Sequence, residues 1–184
     1  MSSVESLKGM LLFSTPALFD PNFRRTVVLV AEHGEDGAMG VVLNRPSETT
    51  VGEAVPDLAE VAGADSPVFV GGPVQPRAVL VLAEFEESSQ AAAVVVGDLG
   101  FARADGDLDE LAESTRRARV FAGYSGWASG QLESELEEES WLVEPVDDID
   151  VLADPGEDLF GSALRAKGGR YRILALMPDD PSQN

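Results

Sequence analysis

Apolar positions in this chain fall in short, dense runs separated by turn residues, not in long helical stripes. Thr26 to Ala31 (TVVLVA) is β-branched and almost continuously apolar, which predicts a central strand covered on both faces. Met10 to Ser14 reads as a shorter strand before it. Met39 to Leu43 (MGVVL) reads as the return strand of a hairpin that turns within residues 32–37. Asn44-Arg45-Pro46 should end that strand, because proline has no N–H to give to a ladder. Further strands are predicted at Pro67 to Val70, Ala78 to Ala83, Ala91 to Val96, Arg119 to Ala122, Trp141 to Val143 and Tyr171 to Met177.

Helical signals are fewer. Thr50 with Glu53 three residues on has the form of a capping box, and Pro56 interrupts the run that follows. Asp107 to Ser114 presents Leu108 and Leu111 on one face, and Ser129 to Ser140 presents Leu132 and Leu136. Asp158 to Ala166 is a third helix. Strands dominate the first part of the chain and helices the second, without regular βαβ alternation. An α+β domain around a mixed or mainly antiparallel sheet is therefore expected. Its core should hold Val28, Leu29, Val30, Val42, Val68, Val79, Leu80 and Val95. One domain over residues 1–178 and a flexible tail over 179–184 complete the predicted organisation.

Composition narrows the classes. Of 184 residues 44% are hydrophobic, enough for a globular core, yet no apolar run approaches bilayer length. The N-terminus lacks a secretory pattern, so a cytoplasmic protein is expected. Zero cysteines exclude disulfides, thiolate zinc sites and cysteine nucleophiles. With one histidine besides, no metal site and no cofactor are assigned. The net charge is −20, and residues 105–158 alone carry 17 acidic side chains against three arginines. That field repels phosphates and counts against nucleic-acid binding. The implied partner is an unknown protein or a small ligand, with no membrane association. Nothing in the sequence specifies an oligomeric state.

The densest cluster of special residues is GYSGWASGQLESEL, residues 123–136. Gly123, Gly126 and Gly130 predict a packed turn, with Tyr124 and Trp127 as anchors on either side of Ser125. That turn is expected to lie against the Asp20–Arg25 loop, with Trp127 buried and its indole N–H satisfied. Ser125 fails the G-x-S-x-G elbow, since Trp127 stands where the second glycine belongs. His33, between Glu32 and Gly34, reads as a partner for turn backbone in preference to a general base. Arg24 and Arg25 sit where the Asp20-Pro21-Asn22 loop meets a buried strand, and an ion pair holding that loop is favoured over an anionic ligand. Gly71-Gly72-Pro73 lacks the residues of a phosphate loop and reads as a tight turn.

Three of these pieces, DPNFRRT, GVVLNRP and GYSGWASGQLE, in this order and spacing, resemble the YqgE/AlgH family of small bacterial proteins. The likeness runs from about Lys8 to Trp141. It implies a cytosolic α+β protein whose mixed, largely antiparallel sheet curls into a pseudo-barrel with flanking helices, and it carries no established enzymatic activity. One branch bears the label of a transcriptional regulator of alginate production, but no helix-turn-helix or basic surface is readable here. No catalytic residue follows from the resemblance. The candidate contact set is Arg24, Arg25, His33, Asn44, Arg45, Tyr124, Ser125, Trp127 and Gln131. The leading reading is a non-enzymatic binding or regulatory module; the alternative is an enzyme using the polar residues of the Gly123–Gln131 corner.

Overall fold

The computed structural model describes residues 5–18, 23–103, 106–146, 149–153 and 158–167. In chain order its strands are β1 (Met10–Ser14), β2 (Val27–Gly34), β3 (Gly37–Val42), β4 (Pro46–Thr50), β5 (Pro67–Val70), β6 (Val74–Phe85), β7 (Ala93–Val96), β8 (Leu99–Phe101), β9 (Thr115–Ala128) and β10 (Trp141–Pro145). Its helices are α1 (Val51–Ala54), α2 (Ala59–Ala62), α3 (Leu108–Ser114), α4 (Gln131–Glu137) and α5 (Leu159–Lys167). The class is α+β with mixed, largely antiparallel pairing, as the sequence implies. Contacts group the chain into two compact units, residues 1–44 with 126–184, and residues 45–125.

In the first unit β10, β1, β2 and β3 lie side by side, each pair antiparallel. The continuous apolar run of β2 is explained by its position between β1 and β3, which leaves both of its faces to be covered. Leu12, Val28 and Val42 line up across three strands and cluster with Val30, Trp127, Leu132 and Trp141. On the alternate positions Leu11, Phe13, Val27 and Leu29 are also sealed, and the Phe13 ring lies 6.1 Å from Phe160 of α5. The β2–β3 hairpin turns on Glu35 and Asp36 alone, a tighter connection than expected.

The second unit carries the one parallel pairing among those described, β5 beside β9; β6 flanks β9 on its other side, followed by β8 and β7. Val51 of α1 and Leu58 pack with Val68 and Val120, so the predicted core residues divide between separate clusters. Val79 is a correction: it is 48% exposed, near the end of a sheet row that α1 and α2 cover elsewhere through Val68, Val81 and Val120. Leu108 likewise faces out at 39% exposure, while Leu111 and Ala112 are half-buried and Ser114 is buried. Thr50 caps α1 through its hydroxyl, which accepts from Glu53 N at 3.2 Å, and Pro56 interrupts the run as expected, opening a separate 3-10 turn. β3 ends at Val42, just before Asn44-Arg45-Pro46, as expected, and Pro46 opens a new strand. It is the first residue of β4, where a missing N–H costs no ladder bond. β8, three residues long, gives too short a pattern to read.

The largest correction concerns the glycines. Residues 123–128 are the end of the 14-residue β9 and not a turn. Glycine is needed there because another backbone comes close. A Cβ on Gly72 would strike the Tyr124 carbonyl, and one on Gly123 would lie 2.6 Å from the Gly72 carbonyl oxygen. Gly123 also takes φ +75, left-handed backbone that costs an L side chain about 1–2 kcal/mol. The two glycine motifs of the sequence thus interlock. The predicted loop tip Asp20–Asn22, the strand Tyr171–Met177 and the tail lie outside the described residues.

Gly123→Ala is expected to lose roughly 2–4 kcal/mol, summing left-handed strain with overpacking against backbone that has nowhere to move. Urea denaturation checks this. A loss below roughly 0.5 kcal/mol would refute the interlock.

Candidate functional site

Gly130, with φ +77, ends the extended backbone and stands at the N-cap of α4. The next turns are fastened residue by residue. Gln131 reaches back so that its Oε1 accepts from Ala128 N at 2.9 Å, and the Ser129 hydroxyl donates to the Glu35 carbonyl of the β2–β3 turn. Trp127 is buried, and its indole Nε1–H donates to Glu135 Oε2 at 2.9 Å, one helical turn beyond the cap. Phe23 stacks on Trp127 at 6.3 Å and meets Trp141 edge-on at 5.6 Å, which ties the described end of the 20–25 loop to this motif. Trp141 Nε1 is buried with no partner among the described residues.

His33 is structural in geometry. Its side chain is 1% exposed. Nδ1 accepts from Leu7 N–H at 2.9 Å, so the ring hydrogen belongs on Nε2, which faces Glu133 Oε1 at 2.5 Å. A general base needs a free lone pair, and this imidazole has none to offer. The same bond from His33 holds the Glu133 carboxyl below the usual glutamate range. His33 therefore pins α4 to the hairpin and gathers the segment before β1.

Arg25 sits in left-handed backbone, φ +44, and its Nη2 donates to both oxygens of Asp158 at 3.1 and 3.0 Å, while its guanidinium lies 4.8 Å from the Phe160 ring centre. Asp158 Oδ1 also accepts from Gly161 N at 3.0 Å in the first turn of α5. Arg25 thus forms an ion pair, and it fastens the entry of β2 to the start of α5. Asn44 works as a surrogate peptide group: its Oδ1 accepts from Val27 N at 3.1 Å and its Nδ2 donates to the Arg25 carbonyl at 2.8 Å. The Arg24 carbonyl accepts from Thr26 Oγ1 at 2.9 Å.

In the second unit the Ser125 hydroxyl is fully buried and donates to the Gly71 carbonyl at 3.1 Å. Tyr124 is half-buried opposite Val74 on β6, and the Arg45 carbonyl accepts from Val70 N at 2.8 Å. So His33, Trp127 and Gln131 meet around α4, Arg25 and Asn44 meet at the start of β2, and Tyr124 and Ser125 belong to the glycine interlock. No group of three or more potential ligands for a metal occurs among the described residues. No described helix is long and apolar enough to cross a membrane.

One cavity of the second unit escaped the sequence reading. It measures about 450 Å³ and is lined by Ser89, Gln90, Arg103, Asp107, Glu110 and Leu111, among others. Arg103 is the lone cation between Glu84 and Glu113 in an acidic stretch; that contrast was the available signal.

An α+β protein with interlocked glycine motifs and an aromatic-anchored helix is the class these features define. The chain belongs to the AlgH-like family (DUF179), whose model matches residues 11–172. It is 42% identical over 190 residues to a UPF0301 protein of Streptomyces coelicolor, covering 100% of this chain and 98% of that one. A UPF0301 protein of Mycobacterium tuberculosis is 40% identical over 181 residues, with 96% and 90% covered. Among solved structures, a Corynebacterium diphtheriae protein superposes with a TM-score of 0.82 at 28% identity, covering 95% and 94%. The solution structure of the AlgH protein from Pseudomonas aeruginosa gives 0.73 at 32% identity, with 97% of each chain covered.

Trp127→Ala is expected to cost about 3–5 kcal/mol in chemical denaturation, the range for a buried large aromatic. A variant as stable as its parent would contradict the anchor role. Acid should test the His33–Glu133 contact. A carboxyl held low in the folded state adds stability above its unfolded value, 4.5, and loses it as pH falls through the folded value. Glu133→Gln should therefore flatten the acid limb of the stability–pH curve, and an unchanged limb would refute the contact.

Proposed function

We propose that this protein is a non-enzymatic binding or regulatory module that acts through a protein or small-ligand partner. The observation that supports this is the occupancy of the polar groups at the glycine corner. Ser125 is sealed against the Gly71 carbonyl, both nitrogens of His33 are engaged, and Gln131 closes the turn before α4. A serine nucleophile must give its proton to a base with a free lone pair, but Ser125 spends that proton on a carbonyl and His33 has no free lone pair. A net charge of −20 argues further against direct contact with DNA, so a regulatory role inferred from the AlgH name would run through a partner.

Protein isolated gently from its source cells should carry a bound ligand or partner in native mass spectrometry, and Ser125→Ala should carry it equally. In gel shifts at physiological salt the pure protein should leave DNA fragments unretarded. Loss of the bound species in a folded Ser125→Ala variant would reinstate the corner as a reactive site. Sequence-specific retardation at sub-micromolar protein would restore DNA binding.

A further inference from the structure

We infer that the cavity beside α3 binds a small zwitterion with surplus positive charge, of the type of a basic amino acid. The inference rests on the binding-module reading and names its ligand class. The cavity differs from the glycine corner in that two of its charged side chains, Arg103 and Glu110, have no partner among the described residues. Among the described residues no hydrogen bond or ion pair holds the Arg103 guanidinium, although the Asp107 and Glu110 carboxylates line the same space. Asp107 Oδ1 is occupied by Asp109 N and Glu110 N at the start of α3, whereas no partner holds the Glu110 carboxylate. Gln90 uses its Oε1 on Glu87 N at 3.2 Å, which leaves its amide N–H groups to donate.

Guanidinium, amide and the Ser89 hydroxyl together present donors to one carboxylate group of a ligand. Glu110 and Asp107 present acceptors to cationic groups. The named lining carries one positive and two negative side chains, so 1 − 2 leaves −1, and a ligand of +1 matches it. A purely anionic ligand would meet the chain's −20 field, and a purely cationic one would leave Arg103 unmatched. About 450 Å³ suits a molecule of amino-acid size, and Leu111 offers apolar contact to its stem.

Isothermal titration with L-lysine tests this, with cadaverine, the diamine lacking a carboxylate, as the comparison. L-Lysine should bind saturably. Arg103→Gln should weaken it roughly tenfold or more, the scale of one lost charge-assisted hydrogen bond, and should not weaken cadaverine. Glu110→Gln should weaken both. Both side chains are exposed, so the variants should keep the parent's circular dichroism and melting temperature. No saturable heat with L-lysine or L-arginine up to roughly 10 mM, or equal binding by parent and Arg103→Gln, would overturn the site. That failure would leave the broader binding reading to its own test, the species carried from the cell.

Discussion

Two stretches of bare backbone pass so close in this protein that no side chain fits between them. Gly71 and Gly72, after β5, meet Gly123 to Ser125 of β9, and the Ser125 hydroxyl closes the contact by donating to the Gly71 carbonyl. Much follows from that approach. It lets β5 run parallel to β9 while the chain turns at once into β6, β9's antiparallel partner. It also leaves β9 extended past Gly123.

The second organising feature is the conversion of polar side chains into fastenings. Around α4, Glu133 and Glu135 each hold a ring N–H, Gln131 holds a backbone N–H and Ser129 a carbonyl. A seven-residue helix is marginal on propensity alone, so such contacts and the burial of Leu132 decide whether it forms. Residues that look reactive in a linear motif are here the supports of a short helix.

The legibility of the sequence follows the range of the physics involved. β2 is readable because two-sided burial demands an unbroken apolar run, and the break at Pro56 because proline acts on its own neighbours. β4 and β8 are not: β4 is a polar segment defined by its pairing with β5, and β8 is only three residues long. The glycine corner misled because its partner is remote in sequence. Glycine marks a special backbone path, but whether that path is a turn or a close crossing depends on Gly72, which lies 51 residues away (123 − 72). His33 and Trp127 were placed correctly in kind, whereas Glu133 and Glu135, their partners, were hidden within a charged helix face that reads as solvated. The cavity by α3 needed two separated segments, around residues 89–90 and 103–114, to be brought together before it existed at all.

Asn44 carries a consequence for the chemical ageing of the chain. Its amide supplies one donor and one acceptor, each to a different backbone group, and no other side chain of that size supplies both. Hydrolysis of that amide to the acid would alter the side chain by a single polar group. The new oxygen would then face the Arg25 carbonyl at the 2.8 Å now spanned by a hydrogen bond, oxygen against oxygen. Arg25 also carries the ion pair to Asp158, so one deamidation would reach both the entry of β2 and the link to α5.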